Sequence, residues 1–232
     1  TTRNFQMALA REAELKTRME ELSMSFSQSL EIRDFNTAGH SRDVLNLGSI
    51  IADGLGIPVD RKLKDSLLLH DIGKLGIPDR ILLKESPLNE EEWAVMKTHP
   101  ELGANLLGHF ESYKEISSII LAHQEHFDGT GYPKGLEGKQ IPLYARIIAI
   151  ADAYHAMTSN RPYRKALPAL MAVSELRRYS GTQFDPDLVE AFIQGLSKRG
   201  YLSQEDLRQE LSSRSTRCAA GDQNLPLRPT GQ

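Results

Sequence analysis

The run Leu67-Leu68-Leu69-His70-Asp71-Ile72-Gly73-Lys74 places an imidazole, a carboxylate and an ammonium directly behind a patch of leucine. Burying the first two beside that much hydrocarbon is costly unless something pairs them. For an isolated pair, a satisfied buried histidine with a capping aspartate is the commoner state. A metal cluster pairs them equally well. Asp71 can bridge two cations with its two oxygens while His70 binds one through a ring nitrogen. The rest of the chain favours the cluster. His40, His70, His99 and His123 fall at the ends or centres of predicted helices. Asp152 lies in the apolar run Ile147-Ile148-Ala149-Ile150-Ala151-Asp152-Ala153, where a lone acid would read as merely satisfied. Together, four histidines and two aspartates on separate helices are the donor set of a dinuclear site in a bundle core. Such mixed ligands suit iron, manganese, nickel or zinc. Lys74 shares a helical face with two of these donors. Its alternative role is a helix C-terminal cation before Gly76.

The elements that must position these groups read as helices punctuated by Gly and Pro. Residues 1–30 lack both and are rich in helix formers. Leu15, Met19, Leu22 and Phe26 follow four-three-four spacing, which fits a coiled-coil seam or one amphipathic helix packed on the domain. Further helices are predicted over 36–54, from Asp60 through the His-Asp pair, from Asn89 to His99, from Pro100, over 116–124, over 143–158, and from Asp185-Pro186 through Phe192. Asn89 and Glu92 form a capping-box pattern. Residues 127–142 hold four Gly and two Pro and read as a loop. Residues 214–232 read as a disordered tail. No strand alternation or internal repeat is visible, so the fold class is all-α.

Bulk properties exclude several classes. The 232 residues carry 40% hydrophobic and 25% charged side chains and a net charge of −3, ordinary for a globular protein. Nothing calls for a nucleic-acid polymer or an anionic membrane as partner. The single cysteine, Cys218, excludes an internal disulfide and fits a reducing, cytoplasmic compartment. No apolar run approaches the roughly 20 residues that span a bilayer. The chain starts Thr1-Thr2 without Met, which reads as an excised fragment.

The ordered series His40-Ser41, His70-Asp71-Ile72-Gly73-Lys74, Gly76-Ile77-Pro78-Asp79, Met96-Lys97-Thr98-His99-Pro100, Asp128-Gly129-Thr130-Gly131-Tyr132-Pro133, Ile141-Pro142-Leu143-Tyr144-Ala145-Arg146 and Arg161-Pro162-Tyr163-Arg164 resembles the HD-GYP domain family. That family is a branch of the HD superfamily of metal-dependent phosphohydrolases. The resemblance runs from Asn36 to Phe192. It implies an HD-type helical bundle over residues 31–213, behind an N-terminal connector helix, and hydrolysis of cyclic dinucleotides, chiefly cyclic di-GMP to linear pGpG and onward to GMP. It implies two divalent metals, iron or manganese first, nickel or zinc otherwise. One would take His40, His70, Asp71 and Asp152, and the second Asp71, His99 and His123. By the same resemblance Lys74 is the active-site lysine, Arg161 and Arg164 contact substrate phosphate, and Gly131 and Tyr132 lie in a loop on the substrate side. That loop is also linked to docking of diguanylate cyclases. An upstream sensor or receiver domain and a homodimer through residues 1–30 complete the expected partners.

Two departures bear on metal number. Three-metal members carry Glu where this chain has Asn36, and paired histidines where it has His123-Gln124. Neutral amides bind transition metals poorly, so two metals are expected. His126 is displaced by two residues and is expected to face solvent. His155, one turn beyond Asp152, is expected behind the ligands. His109 reads as a helix-end residue. Other readings are a 3′,3′-cyclic GMP-AMP phosphodiesterase, a nucleotide-binding module with weak turnover, and a di-iron oxygenase. The basic trio Lys74, Arg161 and Arg164 argues against the last.

Overall fold

The computed structural model describes residues 2–33, 39–160, 165–203, 205 and 208. The helices run in the order α1 (Thr2–Arg33), α2 (His40–Leu55), α3 (Arg61–Leu69), α4 (Asp79–Leu82), α5 (Glu90–Met96), α6 (His99–Gly108), α7 (Lys114–Leu121), α8 (Leu143–Thr158), α9 (Ala169–Arg178) and α10 (Pro186–Lys198). A 3₁₀ turn, Ile72–Gly76, follows α3. Among the described residues there is no strand, only isolated bridges pairing Asp128 with Glu137 and Ser180 with Phe184. The fold is all-α, as expected. Asn36, Arg161, Arg164 and the 214–232 tail lie outside the described residues.

α8 is apolar on nearly every face, and such a helix must be surrounded. α2, α3, α9 and α10 enclose it, with Ile50, Leu67, Ile147, Ile150, Val173 and Phe192 in one buried cluster. Asp152 therefore reaches the centre of the bundle on a wall of hydrocarbon. α10 starts where the sequence signals it. Asp185 accepts from the Asp187 amide at 3.0 Å, and Pro186 occupies the first turn.

Three predicted helices end differently. The one from Asp60 stops at Leu69, so His70 caps it and Asp71 leads into the 3₁₀ turn instead of lying inside the helix. The segment from Asn89 stops at Met96, and His99 opens a new helix rather than closing the old one. Pro100 has no N–H to offer the Met96 carbonyl, so the ladder cannot continue. α7 ends at Leu121, leaving His123 just past its last turn. The Asn89–Glu92 capping box forms as its pattern predicts.

α1 buries Ser23, Ser27 and Leu30 against the domain, with Met19 and Met24 packed on a second cluster that includes Leu69, Ile72 and Tyr113. Leu15, Leu22 and Phe26 stay 55%, 51% and 53% exposed, so most of the apolar seam is not the packing face. The last turn of α1 holds two segments that carry site residues. Glu31 accepts from the Gly39 and Ser41 amides at 2.9 and 3.1 Å, supplying the cap that α2 otherwise lacks. Arg33 donates to the Leu75 and Ile77 carbonyls at 2.6 and 2.7 Å, bracing the 3₁₀ turn that bears Lys74.

That turn lies directly on the start of α6. A Cβ on Gly73 would stand 1.9 Å from the His99 carbonyl oxygen and 2.5 Å from the Gly103 nitrogen. Both obstacles are backbone, so they cannot swing away. Gly73→Ala is expected to destabilise the fold by about 3 kcal/mol, measured as a fall in the urea midpoint at unchanged slope.

Candidate metal centre

Three of the histidines are aimed by one device. His70, His99 and His123 each sit just beyond the last turn of a helix or helical segment. Each uses Nδ1 to bond the carbonyl three residues back: Leu67 at 2.8 Å, Met96 at 2.9 Å and Ile120 at 2.6 Å. Those carbonyls lie at the ends of helical segments, where few amides follow to meet them; that of Ile120 also takes the His123 amide at 3.4 Å. The bond puts the proton on Nδ1 and turns the Nε2 lone pair inward. His40 opens a helix and is aimed differently. Its Nδ1 instead meets His155 Nδ1 at 2.9 Å. His155 Nε2 in turn lies 3.0 Å from Ser159 Oγ and 3.4 Å from Asp43 Oδ2, which suits a proton there and an acceptor at Nδ1. His155 thus stands behind His40.

The inward atoms form two groups, one on each oxygen of Asp71. His40 Nε2 is 3.3 Å from His70 Nε2, 3.6 Å from Asp152 Oδ1 and 3.9 Å from Asp71 Oδ2, and His70 Nε2 is 3.4 Å from that same oxygen. On the other side, His99 Nε2 is 3.1 Å from His123 Nε2 and 3.4 Å from Asp71 Oδ1, and His123 Nε2 is 3.9 Å from Oδ1. The structure brings together all six residues singled out from the sequence. Bonds of about 2.1 Å to a tetrahedral ion put neighbouring donor atoms about 3.4 Å apart. The inward ring nitrogens face each other here at 3.1 and 3.3 Å, and their lone pairs repel unless positive charge lies between them. The donor set therefore fits divalent metal at both groups.

The electrostatics agree. Burial lowers the imidazoles of His40 and His123 from 6.5 to about 3 and that of His99 to about 4. Neutral imidazole is the form that binds metal. Burial alone would raise the Asp71 carboxyl. The Lys74 ammonium, 2.8 Å from Oδ2, and the surrounding imidazoles outweigh that and hold it well below the carboxylate range. Asp152 is likewise lowered, with burial opposed chiefly by His40 and His70.

Tyr132 is half-buried, and burial together with Asp71 and Asp152 raises the pKa of its hydroxyl, so its loop borders the same pocket. Gly131 lies against backbone: a Cβ there would be 2.2 Å from the His126 nitrogen. Glu125 escaped the sequence reading. Its buried carboxylate accepts from the Lys134 and Leu136 amides at 2.7 and 3.0 Å and ties the loop to the His123 segment. A lone acid in the run His123-Gln124-Glu125-His126 was the available signal. His126 pairs with Thr130 at 3.0 Å, outside both donor groups, and the exposed His109 closes α6 on the Asn105 carbonyl.

A family model described as HD domain matches residues 24–188. The chain belongs to the HD domain family, and its motifs place it in the HD-GYP branch. It is 38% identical over 194 residues to a cyclic di-GMP phosphodiesterase response regulator of Xanthomonas campestris, covering 82% of this chain and 51% of that protein. It is 37% identical over 175 residues to a 3′3′-cGAMP-specific phosphodiesterase of Vibrio cholerae, covering 75% and 38%. A crystal structure of a cyclic GMP-AMP-specific phosphodiesterase of V. cholerae shares the fold, with a TM-score of 0.60 at 21% identity over 83% of this chain and 53% of that one. The chain spans about half the length, or less, of the curated relatives it matches. No helix among the described residues is long and apolar enough to cross a membrane.

Above pH 6.5 these histidines are neutral in both the folded and the unfolded chain. Below it the unfolded chain takes up protons that the buried rings refuse, so stability falls as pH drops toward the folded values of 3 to 4. Metal-free protein is expected to lose roughly 2 kcal/mol per histidine between pH 7 and pH 5. Urea unfolding of chelator-treated protein at the two pH values measures it; equal midpoints would contradict the burial argument.

Proposed function

We propose that this chain is a metal-dependent cyclic di-GMP phosphodiesterase. The observation that carries the reading is the pair of facing imidazole sets on the two oxygens of Asp71, with the Lys74 ammonium 2.8 Å from one of them. In this reading His40, His70, Asp71 and Asp152 hold one divalent cation, and Asp71, His99 and His123 hold the other. Two such cations supply Lewis acidity toward a phosphodiester and lower the pKa of water. Hydrolysis adds water across one P–O3′ bond, leaving a 5′-phosphate and a free 3′-hydroxyl.

The protein's own groups do the rest. Asp71, kept ionised beside Lys74, fixes the spacing of the two donor sets. Lys74 is placed to meet negative charge gathering on the phosphoryl oxygens. The leucines of α3 and the isoleucines and alanines of α8 exclude water and keep the local dielectric low. Tyr132 and the backbone at Gly131 form the substrate-side rim. Arg161 and Arg164, three residues apart around Pro162, are assigned to phosphate on the chemistry of the guanidinium. Two metals rather than three follows from Gln124, whose amide is a poor ligand; iron or manganese is assigned first, nickel or zinc next. The product is pGpG, with GMP as a second step.

A specific similarity favours one other substrate, 3′,3′-cyclic GMP-AMP, which a relative named for that nucleotide shares. The donor sets contact no base, so relative kcat/KM on the two nucleotides with one preparation decides. We further assign the exposed Leu15, Leu22 and Phe26 seam to pairing with α1 of a second copy, the loop from Gly129 to Pro133 to a diguanylate cyclase, and the start of α1 to an upstream sensor. The site is assigned to the cytoplasm on the strength of the single cysteine.

Asp71→Ala is expected to abolish both metal content, read by elemental analysis, and hydrolysis. Lys74→Ala is expected to keep the metal and lower kcat by about 10²–10³-fold; full activity would remove its assigned role. Leu22→Glu is expected to convert a dimer to a monomer in light scattering without loss of helicity.

A further inference from the structure

The metal groups and Lys74 account for one phosphodiester linkage. A cyclic dinucleotide carries a second phosphate and two purines, and these need partners beyond the metals. At the corner between α5 and α6, two residues before His99, Lys97 offers them. Its ammonium stands 5.9 Å from the ring centroid of Trp93 and 5.7 Å from that of Tyr132. Trp93 is one turn earlier on α5, whereas Tyr132 arrives from the loop after His123. Two distant segments thus present aromatic faces to one cation. Both rings are half-buried and keep surface open, and Lys97 itself is exposed.

Lys97 differs from its neighbours in charge balance. Lys62 pairs with Glu115, Lys64 with Glu20, Lys74 with Asp71, Lys84 with Glu92 and Lys139 with Asp185. Among the described residues no carboxylate lies within 4.0 Å of Lys97. A cation resting on aromatic faces is held in place while its charge remains available to an anion. Aromatic faces beside it stack on any purine, each contact worth about 1–3 kcal/mol by alanine substitution. The Tyr132 hydroxyl feels Asp71 and Asp152, which puts this group on the rim of the metal pocket rather than on a remote surface.

We propose that Trp93 and Lys97, with Tyr132, form a nucleotide subsite that takes the uncleaved half of the cyclic dinucleotide: its purine against the Trp93 ring, its phosphate against the Lys97 ammonium. The assignment rests on the phosphodiesterase reading above. It makes the end of α5 a binding element.

Trp93 is the only tryptophan in the chain, so its emission reports this subsite alone. Metal-loaded full chain mixed with cyclic di-GMP and read before turnover is expected to show saturable quenching. Lys97→Met keeps the apolar stem on the two rings and removes the charge. It is expected to raise KM about tenfold, with kcat within about twofold of wild type, the signature of lost substrate binding. Unchanged Trp93 emission at nucleotide concentrations that saturate wild-type turnover, or an unchanged KM in Lys97→Met, would overturn the subsite while leaving the phosphodiesterase reading intact. Quenching without hydrolysis in wild type would support the subsite and sink the enzymatic reading. Neither quenching nor hydrolysis would sink both.

Discussion

Ring-nitrogen lone pairs that point at each other across 3.1 and 3.3 Å, beside a shared carboxylate, make an arrangement that positive charge must hold. Much of this molecule follows from that constraint. The rings must be fully aimed before any cation arrives, because water is largely shut out and a stray orientation would leave a buried polar atom unmet. Bonds of 2.6 to 2.9 Å from Nδ1 to carbonyls three residues back do the aiming for His70, His99 and His123. The carbonyls stand at the ends of helical segments, so one hydrogen bond helps finish a segment and orients a donor atom together.

His40 shows what happens where that device is missing. It stands at the start of α2, where the free backbone groups are amides. The partner comes instead from α8, as His155, and the chain of contacts runs on to Ser159 and Asp43 near the surface. The same end of α2 is capped from α1 by Glu31, while Arg33 braces the turn under Lys74. The connector helix is thus bonded to the segments that carry His40 and Lys74, by side chains from one helical turn.

The donor set was legible in the sequence because its residue types are costly in an apolar setting, and Asp152 in its run of Ile and Ala advertised that cost. Helix α8 was legible to the residue, since Pro142 admits it and the chain changes character after Thr158. The break at Lys97 was not. The apolar pattern runs through it, and only the missing Pro100 amide, which frees the Met96 carbonyl for His99, divides the segment. The packing face of α1 was also hidden: Ser23 and Ser27 are buried while larger apolar residues beside them are exposed, so the helix packs on α3 through its small residues. Glu125 was hidden for a different reason. Its partners, the Lys134 and Leu136 amides, are ordinary backbone, and no side-chain pattern can announce them.

Mounting ring nitrogens at the ends of helical segments makes the geometry of the centre depend on residue count. An α-helix turns about 100° per residue. Adding or deleting a single amino acid within Arg61–Leu69 or Lys114–Leu121 would swing His70 or His123 through that angle and carry it off its neighbour. Length changes in the loops beyond would be absorbed far more readily. The lineage of such a molecule should therefore tolerate indels between these helices and purge them inside, whatever the side chains there happen to be.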